Sequence, residues 1–144
     1  MGQKLIDTWA GHLVKQNFTW GVNDCHQLLY QFVKLTNPDW KDPHNLGRLA
    51  GTYHTWREAN EVAKTLKIAE WFEEINYEKR PVNKTETGDI VWMPSKNRAW
   101  DMYMPVIFGE TVLCGDPKTK LIRQRHVREF DRYYEVYRRK ECQQ

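Results

Sequence analysis

The 144-residue sequence contains only three cysteines, Cys25, Cys114 and Cys142. An odd and widely spaced set builds no closed disulfide framework, and none of the three stands in a CxxC pair, so a structural zinc site lacks its nucleus. The five histidines, His12, His26, His44, His54 and His126, include no HxxxH pair. No metal or cofactor is therefore expected, and the thiols read as free, in a protein made in a reducing compartment. Apolar runs are short, none near the roughly 18 residues that cross a bilayer, so no membrane span is expected. The start, Met1-Gly2-Gln3-Lys4-Leu5-Ile6, lacks the apolar stretch and small-residue cleavage site of a signal peptide, and Ile6 stands where a myristoylation signal needs Ser or Thr. Glycine is limited to 8 residues, with no Gly/Ser linker and no repeat. There is no Gly-rich phosphate loop and no RNA-binding aromatic motif. One domain over residues 1–144 is the expectation.

Aromatic residues are abundant, at 13% with 7 Trp and 7 Tyr, beside 28% charged residues. Large rings bury much area per residue, which lets a small chain close one core. The net charge of +3 is uneven: residues 118–141 carry nine Lys or Arg against four Asp or Glu. Glu129, Asp131 and Glu135 interrupt that run, and Val127, Phe130, Tyr133, Tyr134 and Val136 have the character of packing residues. The segment reads as a solvated face of folded structure, and nucleic acid is not an expected partner.

The first half has helical spacing. Leu5, Ile6, Trp9, Leu13 and Val14 predict a helix over about residues 3–16. After Gly21, Asn23 or Asp24 can cap a second helix with the stripe Cys25, Leu28, Leu29, Phe32 and Val33, which Thr36-Asn37-Pro38-Asp39 ends. Residues 37–51 read as a loop. Thr55 and Glu58 fit a capping box before a third helix through Ala59, Val62, Ala63 and Leu66, with a short fourth near Ile68–Phe72. After Pro81 come short β-type runs: Gly88–Met93, Met104–Phe108, a turn at Gly109-Glu110, Thr111–Cys114, Leu121–Val127 and Tyr133–Tyr137. Helices first and an antiparallel sheet second predict an α+β fold, with the N-terminal helices packed on the C-terminal sheet.

Cys25 is the candidate nucleophile. It falls in the first turn of a helix, where the helix dipole favours thiolate. It also opens an apolar stripe, so a purely structural role competes. His26 should face away from it, about 100° round the helix. His54 reads as a solvent-facing turn residue and Asp89 as a buttress of the sheet start. Trp56, Trp92 and Trp100 are either core or a sugar-stacking surface.

The series Trp20-Gly21-Val22-Asn23-Asp24-Cys25, Thr36-Asn37-Pro38-Asp39, Gly51-Thr52-Tyr53, Glu58-Ala59 and Gly88-Asp89-Ile90-Val91 resembles the NlpC-type branch of the papain-like cysteine hydrolases. It is most similar to a phage- and prophage-encoded group found among tail genes, over about Phe18 to Tyr137. The resemblance implies a papain-like α+β fold with Cys25 at the nucleophile position. It also implies a base histidine at the start of the strand after Gly88-Asp89, an orienting residue near Cys114–Asp116, and bacterial cell-wall peptide as substrate. This chain departs from the pattern at the base, where Tyr103 stands. His126, on a late strand, is the remaining candidate base, and Tyr103 is a poor one because a phenol titrates near 10. The sequence thus points to a virion protein of a phage tail or ejection apparatus, made in the host cytoplasm, catalytically degenerate and working through contacts with other tail or ejection proteins. An active cysteine peptidase or amidase is the alternative.

Overall fold

The structure, a computed structural model, describes residues 2–42, 46–65, 68–81, 84–94, 101–116 and 118–140. The first helix, α1 (Gln3–Leu13), turns Ile6 and Ala10 inward. It stops short of the expected residue 16 because Lys15 adopts a left-handed φ of 74°. That turn sends the Lys15 N–H to the Ile122 carbonyl at 2.9 Å and brings Phe18 N–H to Lys120 O at 2.8 Å. Pairing with a distant strand wins over one more helical turn.

The central helix, α2 (Cys25–Thr36), buries Leu28, Leu29, Phe32 and Val33. It ends as expected before Pro38, with the Asn37 N–H on Val33 O at 2.8 Å. Within the segment read as a loop lies a short α3 (Leu46–Leu49), whose leading N–H groups on Leu46 and Gly47 are taken by the Asp42 carboxylate at 3.1 and 2.9 Å. Four residues are too few to show a helical period. Helix α4 (Trp56–Thr65) opens with Thr55 Oγ1 accepting the Glu58 N–H at 3.1 Å. The Glu58 carboxylate takes the His54 N–H at 2.8 Å rather than that of Thr55, one residue further back than a capping box predicts. Helix α5 (Ile68–Glu74) places Trp71 and Phe72 in the core.

Six strands follow: β1 (Tyr77–Arg80), β2 (Ile90–Met93), β3 (Met102–Phe108), β4 (Thr111–Asp116), β5 (Leu121–His126) and β6 (Glu135–Arg139). They form one sheet in the order β1-β6-β2-β3-β4-β5, with every neighbouring pair antiparallel. The protein is α+β. Strand β1 was not expected, because Glu78, Lys79 and Arg80 hide any alternation; it exists by pairing with β6. Val127 leaves the strand assigned to it and opens a 3-10 turn, Val127–Phe130.

The sheet is buried on both faces. One carries Ile90, Ile107, Leu113 and Ile122 against Leu28, Leu29, Phe32 and Trp71 of the helices. The other carries Val91, Met93, Met104, Val106, Val112 and Cys114, covered by Val127, Phe130 and Tyr134. At the start of β2, Asp89 is buried and receives two bonds from the Arg138 guanidinium, each 2.9 Å, and the Glu86 N–H at 2.8 Å. That is the buttress expected of it. No described helix is long and apolar enough to cross a membrane.

Candidate functional site

The turn before α2 is wound by two side chains. Asn23 Oδ1 accepts the Thr19 N–H at 2.7 Å, and its Nδ2 donates to Asn17 O at 2.8 Å. Asp24 caps the helix, its Oδ1 accepting the His26 and Gln27 N–H groups, both at 3.1 Å. Its Oδ2 accepts the Gly21 N–H and the Tyr53 hydroxyl, both at 2.8 Å. Gly21 has φ 84°, and a Cβ there would strike the Tyr53 carbonyl, so only glycine lets the two loops meet. Gln27 completes the cluster with Nε2 bonds to Leu46 O at 3.2 Å and to the Tyr53 hydroxyl at 3.3 Å.

Cys25 is the first residue of α2 and is 7% exposed. The N–H groups at this helix start are directed at Asp24. The full negative charge of that carboxylate offsets the half charge of the dipole, so a thiolate here would meet a like charge in its own turn. Burial pushes the Tyr53 phenol upward, and the charges of Asp24 and then Cys25 push the same way. Tyr53 therefore stays a hydroxyl donor and locks the cap.

His26 is buried, its ring 6.0 Å from that of Tyr103, and burial pushes its imidazole down to about 3. It is neutral at ordinary pH. Tyr103 lies on β3 opposite Trp92 and packs beside Phe72. Burial, then the charges of Asp101, Tyr137 and Glu135, push its phenol upward, so it holds its proton and cannot serve as a base near neutral pH. Trp92 donates its indole N–H to Asp101 at 3.3 Å.

His126 is placed elsewhere. It pairs with Thr111, which faces Phe108 at the hairpin end of β3. Phe108 is five residues from Tyr103 on the same strand, a separation of roughly 17 Å at strand rise. Both ring nitrogens of His126 are engaged, Nδ1 by the Arg128 N–H at 3.1 Å and Nε2 with Glu110 at 3.2 Å. The structure thus gathers Cys25, Asp24, His26, Gln27 and Tyr53 at one helix start, with Tyr103 facing His26, and sets His126 apart.

Cys114 is buried, and burial pushes its thiol up to about 11. Trp56 is exposed at the start of α4, whereas Trp92 is half-buried on β2. Trp100, His44 and Cys142 lie outside the described residues. Among the described residues, no group of three or more His, Cys, Asp or Glu is arranged to hold a metal ion. Sequence reasoning passed over Gln27, and it took Tyr53 only as part of a motif. Their contacts reach 19 to 29 residues along the chain, and no local pattern encodes that.

A family model for a domain of unknown function, DUF6950, matches residues 3–136. Comparison with curated proteins and with solved structures gives no match.

Proposed function

The chain belongs to the DUF6950 family; from the resemblance of its Trp20–Cys25 and Gly88–Val91 segments to the NlpC-type group found among phage tail genes, we propose that it is a bacteriophage virion protein of the tail or ejection apparatus. In this reading it keeps an NlpC-type, papain-like scaffold, is catalytically degenerate, and acts through contacts with other tail or ejection proteins. It is made in the host cytoplasm and resides in the virion.

One observation carries the reading. From β3, the strand on which the resemblance calls for a base, the residue facing the start of α2 is Tyr103, a phenol held protonated by its surroundings. Cys-dependent hydrolysis needs a group that takes the thiol proton and returns it to the leaving amine. A phenol that keeps its proton does neither near neutral pH. The Asp24 carboxylate in the same turn adds to the difficulty, because it opposes a thiolate. Phe108 and Tyr133 are each more than 60% exposed, and surface aromatics of this kind suit docking.

The alternative, a cysteine peptidase or amidase acting on cell-wall peptide, is favoured by the place of Cys25 as the opening residue of α2. The two readings part on one experiment. In phage particles carrying Cys25→Ser, assembly, infectivity and cleavage of purified cell-wall peptide should all match the unmodified particle. The thiol of Cys25 should also alkylate near neutral pH no faster than an ordinary thiol of pKa about 8.5. Normal assembly with loss of both cleavage and infectivity would overturn the reading in favour of the enzyme.

A further inference from the structure

We propose that His126 is a pH-sensitive latch for the strap of chain, residues 127–134, that covers the outer face of the sheet. The strap is the 3-10 turn Val127–Phe130, closed by Asp131 at a left-handed φ of 44°, and residues 132–134, which lead to β6. Val127, Phe130 and Tyr134 are what the strap lays on the cluster of Val91, Met93, Met104, Val106, Val112 and Cys114. At its far end Arg132 ties it to the carbonyls of Pro94, at 2.7 Å, and Met93, at 3.4 Å.

Its near end is fastened through His126. The Nδ1 atom accepts the Arg128 N–H at 3.1 Å, while the Glu129 carboxylate takes the His126 N–H at 3.0 Å. An accepting Nδ1 is an unprotonated Nδ1, so the neutral ring carries its proton on Nε2 and donates it to Glu110 at 3.2 Å. The Val127 N–H reaches the Glu110 carbonyl at 3.0 Å beside it.

A proton taken up from solvent can add only at Nδ1. The new N–H then points at the Arg128 N–H, two donors face each other, and the cap is lost. The same proton turns the Nε2 contact with Glu110 into an ion pair. Glu110 favours that exchange: its second carboxylate oxygen is buried and has no hydrogen-bond partner. The other charged groups around the ring are Arg125 on β5 and Arg128 and Glu129 on the turn. Arg125 lies 3.5 Å from Glu129 and over the Phe130 ring. From α1, Asp7 lines the cavity that it shares with Thr111, the register partner of His126, and Gln124. Acid therefore trades the cap for the ion pair, releasing the first turn of the strap while His126 stays moored to the hairpin.

The test is residue-resolved NMR on the intact protein and on His126→Asn, whose side-chain oxygen can accept the Arg128 N–H but does not titrate in this range. In the unmodified protein the ring nitrogens should report the Nε2–H tautomer at high pH. Acidification from about pH 8 to about pH 5 should then lower hydrogen-exchange protection of the Arg128 amide about fivefold relative to the Asn variant, the equivalent of one helix cap. Any global loosening affects both proteins alike and cancels in that ratio. A ratio that stays constant across that pH range, or an Nδ1–H tautomer at high pH, would overturn the proposal. If the Asn variant fails to fold, the Arg128 amide is compared with the Val127 amide in the unmodified protein. There, equal loss of protection at both would overturn it.

Discussion

Acidifying the protein from about pH 6.5 to about pH 4.5 should cost the fold about 2 kcal/mol through the single imidazole of His26. Burial holds that ring neutral, its pKa pushed from 6.5 down to about 3, among the core side chains at the start of α2. In the unfolded chain the same ring takes up a proton near its ordinary pKa of about 6.5. Below that point the unfolded state binds more protons than the folded one, so stability falls as pH falls. The slope is half-maximal at that pKa, rises to about 1.4 kcal/mol per pH unit about one unit below it, and persists until the folded ring itself titrates. Carboxylates begin to titrate toward the lower end of this window, and their contribution is common to the protein and to a variant that lacks only the imidazole. Urea midpoints measured across the window should drop steadily for the unmodified protein and much less for His26→Gln, which is neutral throughout. A flat midpoint for the unmodified protein, or an equal slope in the variant, would refute the reasoning.

Replacing Asp24 with Ala removes a cap worth about 1 kcal/mol and leaves the Gly21 N–H and the Tyr53 hydroxyl without their acceptor, at about 1–3 kcal/mol each. A loss of about 3–7 kcal/mol in urea denaturation is expected, and one below about 1 kcal/mol would mean that the cluster contributes no more than its cap. Arg138→Ala strands the buried Asp89 carboxylate and should cost about 3–5 kcal/mol. Pairing it with Asp89→Asn should recover part of that loss in thermal melts, and no recovery would show that packing of the arginine stem, not charge, was at stake.

Much of the architecture was legible because it is local. The stripe Leu28, Leu29, Phe32, Val33 marks α2, Asp24 marks its cap, Pro38 marks its end, and the β-branched runs after Pro81 mark β2 to β4. Periodicity and turn chemistry act within a few residues, so a sequence alone displays them. The candidate site was only half visible by the same rule. Cys25 and Tyr103 stood out by position, whereas the locking of the α2 cap by Tyr53 and Gln27 did not.

What tertiary structure alone decided is where distance along the chain stops mattering. Tyr77 and the three charged residues after it became strand β1 because β6 offers a ladder to bond. Helix α1 ended early because Lys15 could bond across to β5. His126, two strands along the sheet from Tyr103 and at its other end, is held there by its register opposite Thr111 and its Nε2 contact with Glu110. In each case a backbone or ring donor found an acceptor more than ten residues away, or a strand found its register. Such bonds form only once the hydrophobic faces have brought those segments together, which is why no window of sequence contains them.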